Sequence, residues 1–187
     1  MDPDLPNQFR QTSRAGAVFL GLLFLAVAVT AFAWLSGPRK QNRALMPQGP
    51  APIIAAAGWV NGEAPTPESL AGKVIVIDVW ATWCKPCRDA LPHMVELHER
   101  FADRGVVFLG LTDEGEKKLD AIQRVLGNAG ARWPNGWGAT QTIQDLNAVY
   151  LPSVYVIGTN GQIMWTSADR GELSEILEQL LKPAKPT

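Results

Sequence analysis

An α/β sandwich behind an N-terminal transmembrane helix is the architecture this sequence predicts, and three observations carry it. Two continuous apolar runs rich in β-branched residues, at 73–80 and 105–111, flank a stretch of helical periodicity, the pattern of parallel strands joined by a helix. A hairpin signal and a last amphipathic helix follow residue 153. Residues 15–35 are 21 positions without a charge. The 187 residues leave room for one compact domain plus an appendage. With 47% hydrophobic and 19% charged residues the chain is not disordered, and a net charge of -1 offers no broad basic surface for nucleic acid. Two cysteines are too few for a disulfide scaffold or a four-thiolate zinc site.

The N-terminal elements come first. Residues 1–14 form a tail, and 15–35 a span in which Thr30 is the one clearly polar side chain. About 20 apolar residues cross a bilayer core, so the run is long enough to span. Ala31-Phe32-Ala33 has the small-x-small form of a signal-peptidase site, but the run exceeds the usual signal core, and a retained anchor is expected. Arg10 and Arg14 precede it, and Arg39, Lys40 and Arg43 follow it. That count runs mildly against export of the C-terminal part, although long domains translocate with little regard to it. Residues 36–56, with Pro38, Pro47, Pro50 and Pro52, read as a Pro/Gly-rich linker to a domain over 57–187. The first fifty residues carry five basic and two acidic side chains, and the rest twelve and sixteen, so near-neutrality is the sum of unlike parts.

Within the domain, Thr66-Pro67 predicts a capped helical turn before the strand at 73–80. Leu91, Met94, Val95, Leu97 and Phe101 mark a helix from Pro86 to about Ala102, with Pro92 inside it. Leu119, Ile122, Val125 and Leu126 mark another after the second strand. The Trp-bearing stretch 127–141 yields no assignment, and Thr142 is expected to cap a short helix to about Val149. Ser153–Ile157 and Gln162–Trp165 flank Thr159-Asn160-Gly161, a hairpin turn. Leu173, Ile176, Leu177, Leu180 and Leu181 stripe the final helix.

The chemistry centres on Trp83-Cys84-Lys85-Pro86-Cys87, directly after the first strand and opening the helix. A thiol at a helix N-terminus meets free N–H groups and the positive end of the dipole, which favour thiolate, and Lys85 adds positive charge nearby. Two cysteines three apart on a helical turn are within disulfide reach. Zinc would need two more ligands, and His93 and His98, five apart, do not share a helix face. A c-type haem would need histidine where Arg88 stands. A disulfide closing so short a loop would stabilise little. Redox chemistry without metal or other cofactor is the reading that remains.

The run Asp78-Val-Trp-Ala-Thr-Trp-Cys-Lys-Pro-Cys-Arg-Asp-Ala-Leu-Pro92 resembles the active-site strand and helix of the thioredoxin superfamily, and especially its membrane-anchored TlpA/ResA-like thiol-disulfide oxidoreductases. Leu151-Pro152-Ser153-Val154-Tyr155-Val156-Ile157 is similar to the family's cis-proline loop and next strand, and the likeness spans about 57–181. The resemblance implies a thioredoxin-like three-layer α/β/α sandwich with a mixed central sheet. It implies Cys84 as the exposed nucleophile, Cys87 as the resolving thiol and Asp78, six residues before Cys84, as a buried proton acceptor and donor. Trp83, Lys85, Pro86, Leu151 and Pro152 would line the substrate site, with Pro152 cis and the Leu151 backbone pairing with an extended polypeptide. Trp80 and Trp83 divide between site wall and core. Such relatives often carry a glutamate three residues beyond the second cysteine; here Ala90 stands there, beside Asp89, leaving Asp78 as the acid. The expected protein is a reductase of extracytoplasmic protein disulfides, anchored by a single span in a bacterial inner membrane and fed by a membrane thiol donor. A thiol oxidase of the same fold, a peptide- or metal-binding module without catalysis, and a thiol peroxidase are the alternatives.

Overall fold

The computed structural model describes residues 48–182, so the expected transmembrane span at 15–35 and the linker up to residue 47 lie outside them. Among the described residues no helix is long and apolar enough to cross a membrane. In chain order the elements are β1 (Gly58–Val60), α1 (Pro67–Leu70), β2 (Val74–Val79), α2 (Lys85–Phe101), β3 (Val106–Leu111), α3 (Leu119–Ala129), β4 (Asn135–Trp137), α4 (Thr140–Asp145), β5 (Ser153–Ile157), β6 (Ile163–Thr166) and α5 (Leu173–Leu180). The strands form one six-stranded sheet in the order β1-β4-β3-β2-β5-β6. β4, β3 and β2 run parallel, while β1, β5 and β6 run antiparallel to their neighbours. This is a thioredoxin-like α/β fold with a mixed sheet.

Strand alternation explains why every residue of β2 is buried. Val74 and Val76 face the layer built by Leu91, Leu97 and Phe101 of α2, Ile122 and Leu126 of α3, and Ile176 and Leu177 of α5. Ile75, Ile77 and Val79 face the opposite layer, where Ile143 and Leu146 of the α4 region and Leu70 of α1 close the core. Each such aliphatic side chain removed from water contributes about 1.5–3 kcal/mol, so a central strand apolar on both faces is the fold's strongest anchor. The α1 turn is closed by a reciprocal capping box between Thr66 and Ser69. The β5–β6 turn has Gly161 at φ 73°, a left-handed position that glycine adopts without steric cost.

Three parts differ from the sequence expectations. β1 and β4 are short sheet strands where the pattern showed none. The helix expected from Thr142 begins at Thr140, and Thr142 is buried inside it; the Thr142 hydroxyl accepts from the Ala55 N–H at 2.9 Å and reaches the Ala55 carbonyl at 2.8 Å. Residues 48–56, read as part of a tether, lie against the domain. The Gln48 N–H donates to the Ile163 carbonyl, the Ile163 N–H to the Gly49 carbonyl, and the Ala51 N–H to the Gly161 carbonyl. Ala51, Ile54 and Ala56 pack on the β2 face opposite α2. Their prolines suit an extended segment that pairs along an edge, which a composition-based reading takes for a spacer.

Candidate active site

β2 ends at Val79 and delivers Trp80 and the turn 81–84 directly to the start of α2. Cys84 is the N-cap residue: its backbone is extended, and its sulfur accepts from the Cys87 N–H at 3.2 Å. Pro86 lies in the first turn, where its missing N–H removes no helical bond. Cys84 and Cys87 are joined as a disulfide with Cα atoms 5.3 Å apart. Both are buried, at 4% and 3% exposure, so Cys84 is not the exposed member of the pair that the sequence led one to expect. Its side chain turns inward to its partner. What stands open at the turn is Trp83, 68% exposed, with Lys85 and Pro86.

Lys85 adds less positive charge than its position implies, because its ammonium pairs with Asp89 at 2.6 Å. Trp80 and Trp83 separate cleanly. Trp80 is core, its indole N–H donating to Asn135 Oδ1 at 3.1 Å, and Trp83 is surface. Asp78 lies on β2 two residues from Trp80, so alternation turns it toward the face that holds Trp80, Cys84 and Cys87. Only 6% of Asp78 is exposed, and burial pushes its carboxyl from the usual 3.8 up to about 7. An acid in that range exchanges protons at neutral pH.

From the other side comes the loop before β5. Ser153 pairs with Val79, so Leu151 and Pro152 run beside the residues that continue β2 into the cysteine turn. The Leu151–Pro152 peptide is cis. Leu151 is half-buried and packs into both core layers, while Val149 and Tyr150 just before it are exposed. The histidines stand apart. His98 packs against Phe108 and Trp133 with ring centroids 5.3 Å away, and burial lowers its titration point. His93 is on the surface near Glu96. Among the described residues no cluster of three or more His, Cys, Asp or Glu side chains is arranged to hold a metal.

Sequence reasoning missed two side chains. The Glu114 carboxylate accepts from the N–H and hydroxyl of Thr82, at 2.6 Å each, and Asn135 holds Trp80. Both lie far along the chain from the turn they support, and no local spacing signals such a contact.

A dithiol-disulfide pair at the head of a helix, on a thioredoxin-like sheet and beside a cis-proline loop, defines the class: a thioredoxin-fold protein with a redox-active turn. Residues 49–166 match the AhpC/TSA family, and the chain belongs to it. Protein DipZ of Mycobacterium bovis is 31% identical over 152 residues, covering 74% of this chain but 21% of its own length, so the chain spans about a fifth of that relative. Thiol-disulfide oxidoreductase ResA of Oceanobacillus iheyensis is 24% identical over 146 residues, covering 76% of this chain and 75% of its own. Among solved structures, the thiol:disulfide interchange protein of Chlorobium tepidum, of the thioredoxin family, superposes with a TM-score of 0.62 at 25% identity, over 73% of this chain and 98% of that one.

Proposed function

We propose that this protein is a thiol-disulfide oxidoreductase that reduces disulfides of extracytoplasmic proteins. The observation that carries the reading is the Cys84–Cys87 pair at the N-terminus of α2, with the buried Asp78 carboxyl on the same face of the sheet. In the reduced protein the Cys84 thiolate attacks a substrate disulfide, forming a mixed disulfide and releasing one substrate thiolate, which takes up a proton. Cys87, giving its proton to Asp78, then attacks the Cys84 sulfur. The second substrate thiol leaves, and the Cys84–Cys87 bond forms. Two electrons have passed to the substrate. Trp83, Lys85 and Pro86 on one side and Leu151 and Pro152 on the other line the approach, where an extended segment pairs with the Leu151 backbone.

Residues 15–35 would anchor the domain to the inner membrane, with the redox turn on the oxidising side and a membrane thiol protein returning the electrons. The uncharged run of 21 residues, long enough to cross a bilayer core, supports this placement. Reduction is the expected direction, since a tethered head suits electron delivery from the membrane.

The test is insulin-disulfide reduction by the wild type and by Cys84→Ser, with the reduction potential of the pair measured alongside. Activity abolished in Cys84→Ser and a potential near about -270 mV support the reductase; about -120 mV makes the protein a thiol oxidase. Equal activity in both proteins, or none in either, makes it a binding module, and rapid peroxide consumption by the dithiol makes it a peroxidase.

A further inference from the structure

Thr82, two residues ahead of Cys84, is gripped from both sides by opposite charges. Its N–H and its hydroxyl donate to the Glu114 carboxylate at 2.6 Å each, and its carbonyl accepts from the Arg88 guanidinium at 2.5 Å. Glu114 follows β3 and is itself held. The Thr112 hydroxyl approaches its carboxylate at 3.4 Å, and the Gly138 N–H donates to its carbonyl at 2.8 Å. Arg88 stands in the first turn of α2. Glu114 bonds the residue two before Cys84, and the Arg88 N–H donates to the Cys84 carbonyl one helical turn on, so both charges flank the cysteine turn.

The other charged groups around the turn weigh differently. On α2, Lys85 is neutralised locally by Asp89. From β2, Asp78 is buried on the core side, and Asp113, beside Glu114, is exposed. The loop before β5 brings the exposed Tyr150. Glu114 and Arg88 are the pair that closes on the turn itself.

We propose that Glu114 and Arg88 are positioning residues forming a charge-balanced clamp on Thr82, which sets the ionisation of the reduced Cys84 thiol and so the electron affinity of the Cys84–Cys87 disulfide. The proposal rests on the reading of the two cysteines as a working dithiol. The physical argument is one of sign. A carboxylate near the thiol opposes the thiolate and a guanidinium favours it, and stabilising the thiolate stabilises the reduced form. A charge about 10 Å from a thiol in a half-exposed setting changes the thiolate fraction roughly threefold, or about half a pH unit.

The experiment uses the full chain. The pH dependence of Cys84 alkylation by iodoacetamide is followed in the reduced protein by mass spectrometry. The glutathione equilibrium is measured at pH 7, where the protein disulfide and two glutathione molecules give the dithiol and one glutathione disulfide. Glu114→Gln retains groups able to bond Thr82, and we expect the alkylation midpoint to fall by about half a pH unit and the equilibrium to move about threefold toward the dithiol. Arg88→Gln should move both the other way. Glu114→Asp and Arg88→Lys keep the charges and should keep the wild-type midpoint. A purely structural brace would lower thermal stability without shifts of opposite sign. Shifts in the same direction, no shift in either glutamine variant, or equal shifts in the charge-conserving variants would overturn the clamp. Failure of insulin reduction by the wild type would instead sink the functional reading, since neither measurement here needs a protein substrate.

Discussion

Asp78 shows what a single ionisable group costs when a fold buries it. The folded carboxyl titrates near 7, and the unfolded one near 3.8. Between those values the folded chain holds a proton that the unfolded chain has released. Stability therefore falls as pH rises through this window, and above about 7 the full penalty applies. That displacement corresponds to about 4 kcal/mol. Asp78→Asn removes the charge and keeps nearly the same shape. Thermal unfolding should show the variant more stable than wild type at pH 8 and close to it at pH 4. If Asp78 also moves the Cys87 proton, turnover of the variant should lose its pH dependence near 7. Equal stability gains at both pH values would show that burial does not govern this carboxyl. The disulfide pair was legible for a related reason: both cysteines lie on one continuous strand–turn–helix segment, where spacing encodes placement, whereas Asp78 was picked out by the resemblance of that segment to the thioredoxin superfamily. The supports on Thr82 and Trp80 were not legible, because Glu114 and Asn135 meet the turn only after the sheet has formed.

Among the elements, β4 is the least conventional and the most informative. Asn135-Gly136-Trp137 has neither alternation nor β-branched residues, and pattern reading passes over it. Its partners explain how it is a strand. Asn135 pairs with Gly110 of β3, and Trp137 with Gly58 of β1. In both pairs the large side chain lies across the glycine: a Cβ at Gly110 would stand 1.7 Å from Asn135 Oδ1, and one at Gly58 would stand 2.4 Å from the Trp137 ring. The glycines that weaken the strand signal in sequence are what allow these strands to pair. β2, β3, the hairpin and α5 were legible by contrast, because their apolar periodicity is carried by their own residues. Asn135 has little freedom to yield, since it accepts from Trp80 and donates to the Trp133 carbonyl at 2.8 Å. Gly110→Ala should therefore destabilise the protein by about 1–3 kcal/mol, the usual cost of overpacking a filled core. Adding Asn135→Ala should recover part of that loss, because it removes the atom in conflict. Denaturant unfolding of the two single variants and the double variant measures the coupling. Additive losses would mean that the side chain over Gly110 is not the obstacle.

At the scale of the whole described domain, residues 48–57 form a belt that crosses one face of the sheet from edge to edge. It begins hydrogen-bonded to β6, where Gln48 and Gly49 pair with Ile163, and the Gln48 amide donates to Asp169 at 2.6 Å. It then passes over a cavity of about 390 Å³, lined in part by Ala51, Ile54, Leu70, Ile75 and Ile157, and reaches β4, where the Ala57 N–H donates to the Trp137 carbonyl at 2.9 Å. Its central hold is the buried Thr142 hydroxyl on the backbone of Ala55. A Val side chain fills the same volume but carries no hydroxyl, so Thr142→Val removes the hydrogen bonds to the Ala55 N–H and carbonyl. The expected loss is about 0.5–1.5 kcal/mol, the net worth of a hydrogen bond whose backbone partners can turn to water. Because both belt ends have their own bonds, the loss should appear first as local opening. Hydrogen exchange at Ala55 should accelerate while the amides of β2 keep their protection, and limited proteolysis should cut within 50–56 before it cuts elsewhere in the domain. Uniform acceleration across belt and sheet would instead show that the belt and the sheet open as one cooperative unit, with Thr142 fastening the whole face.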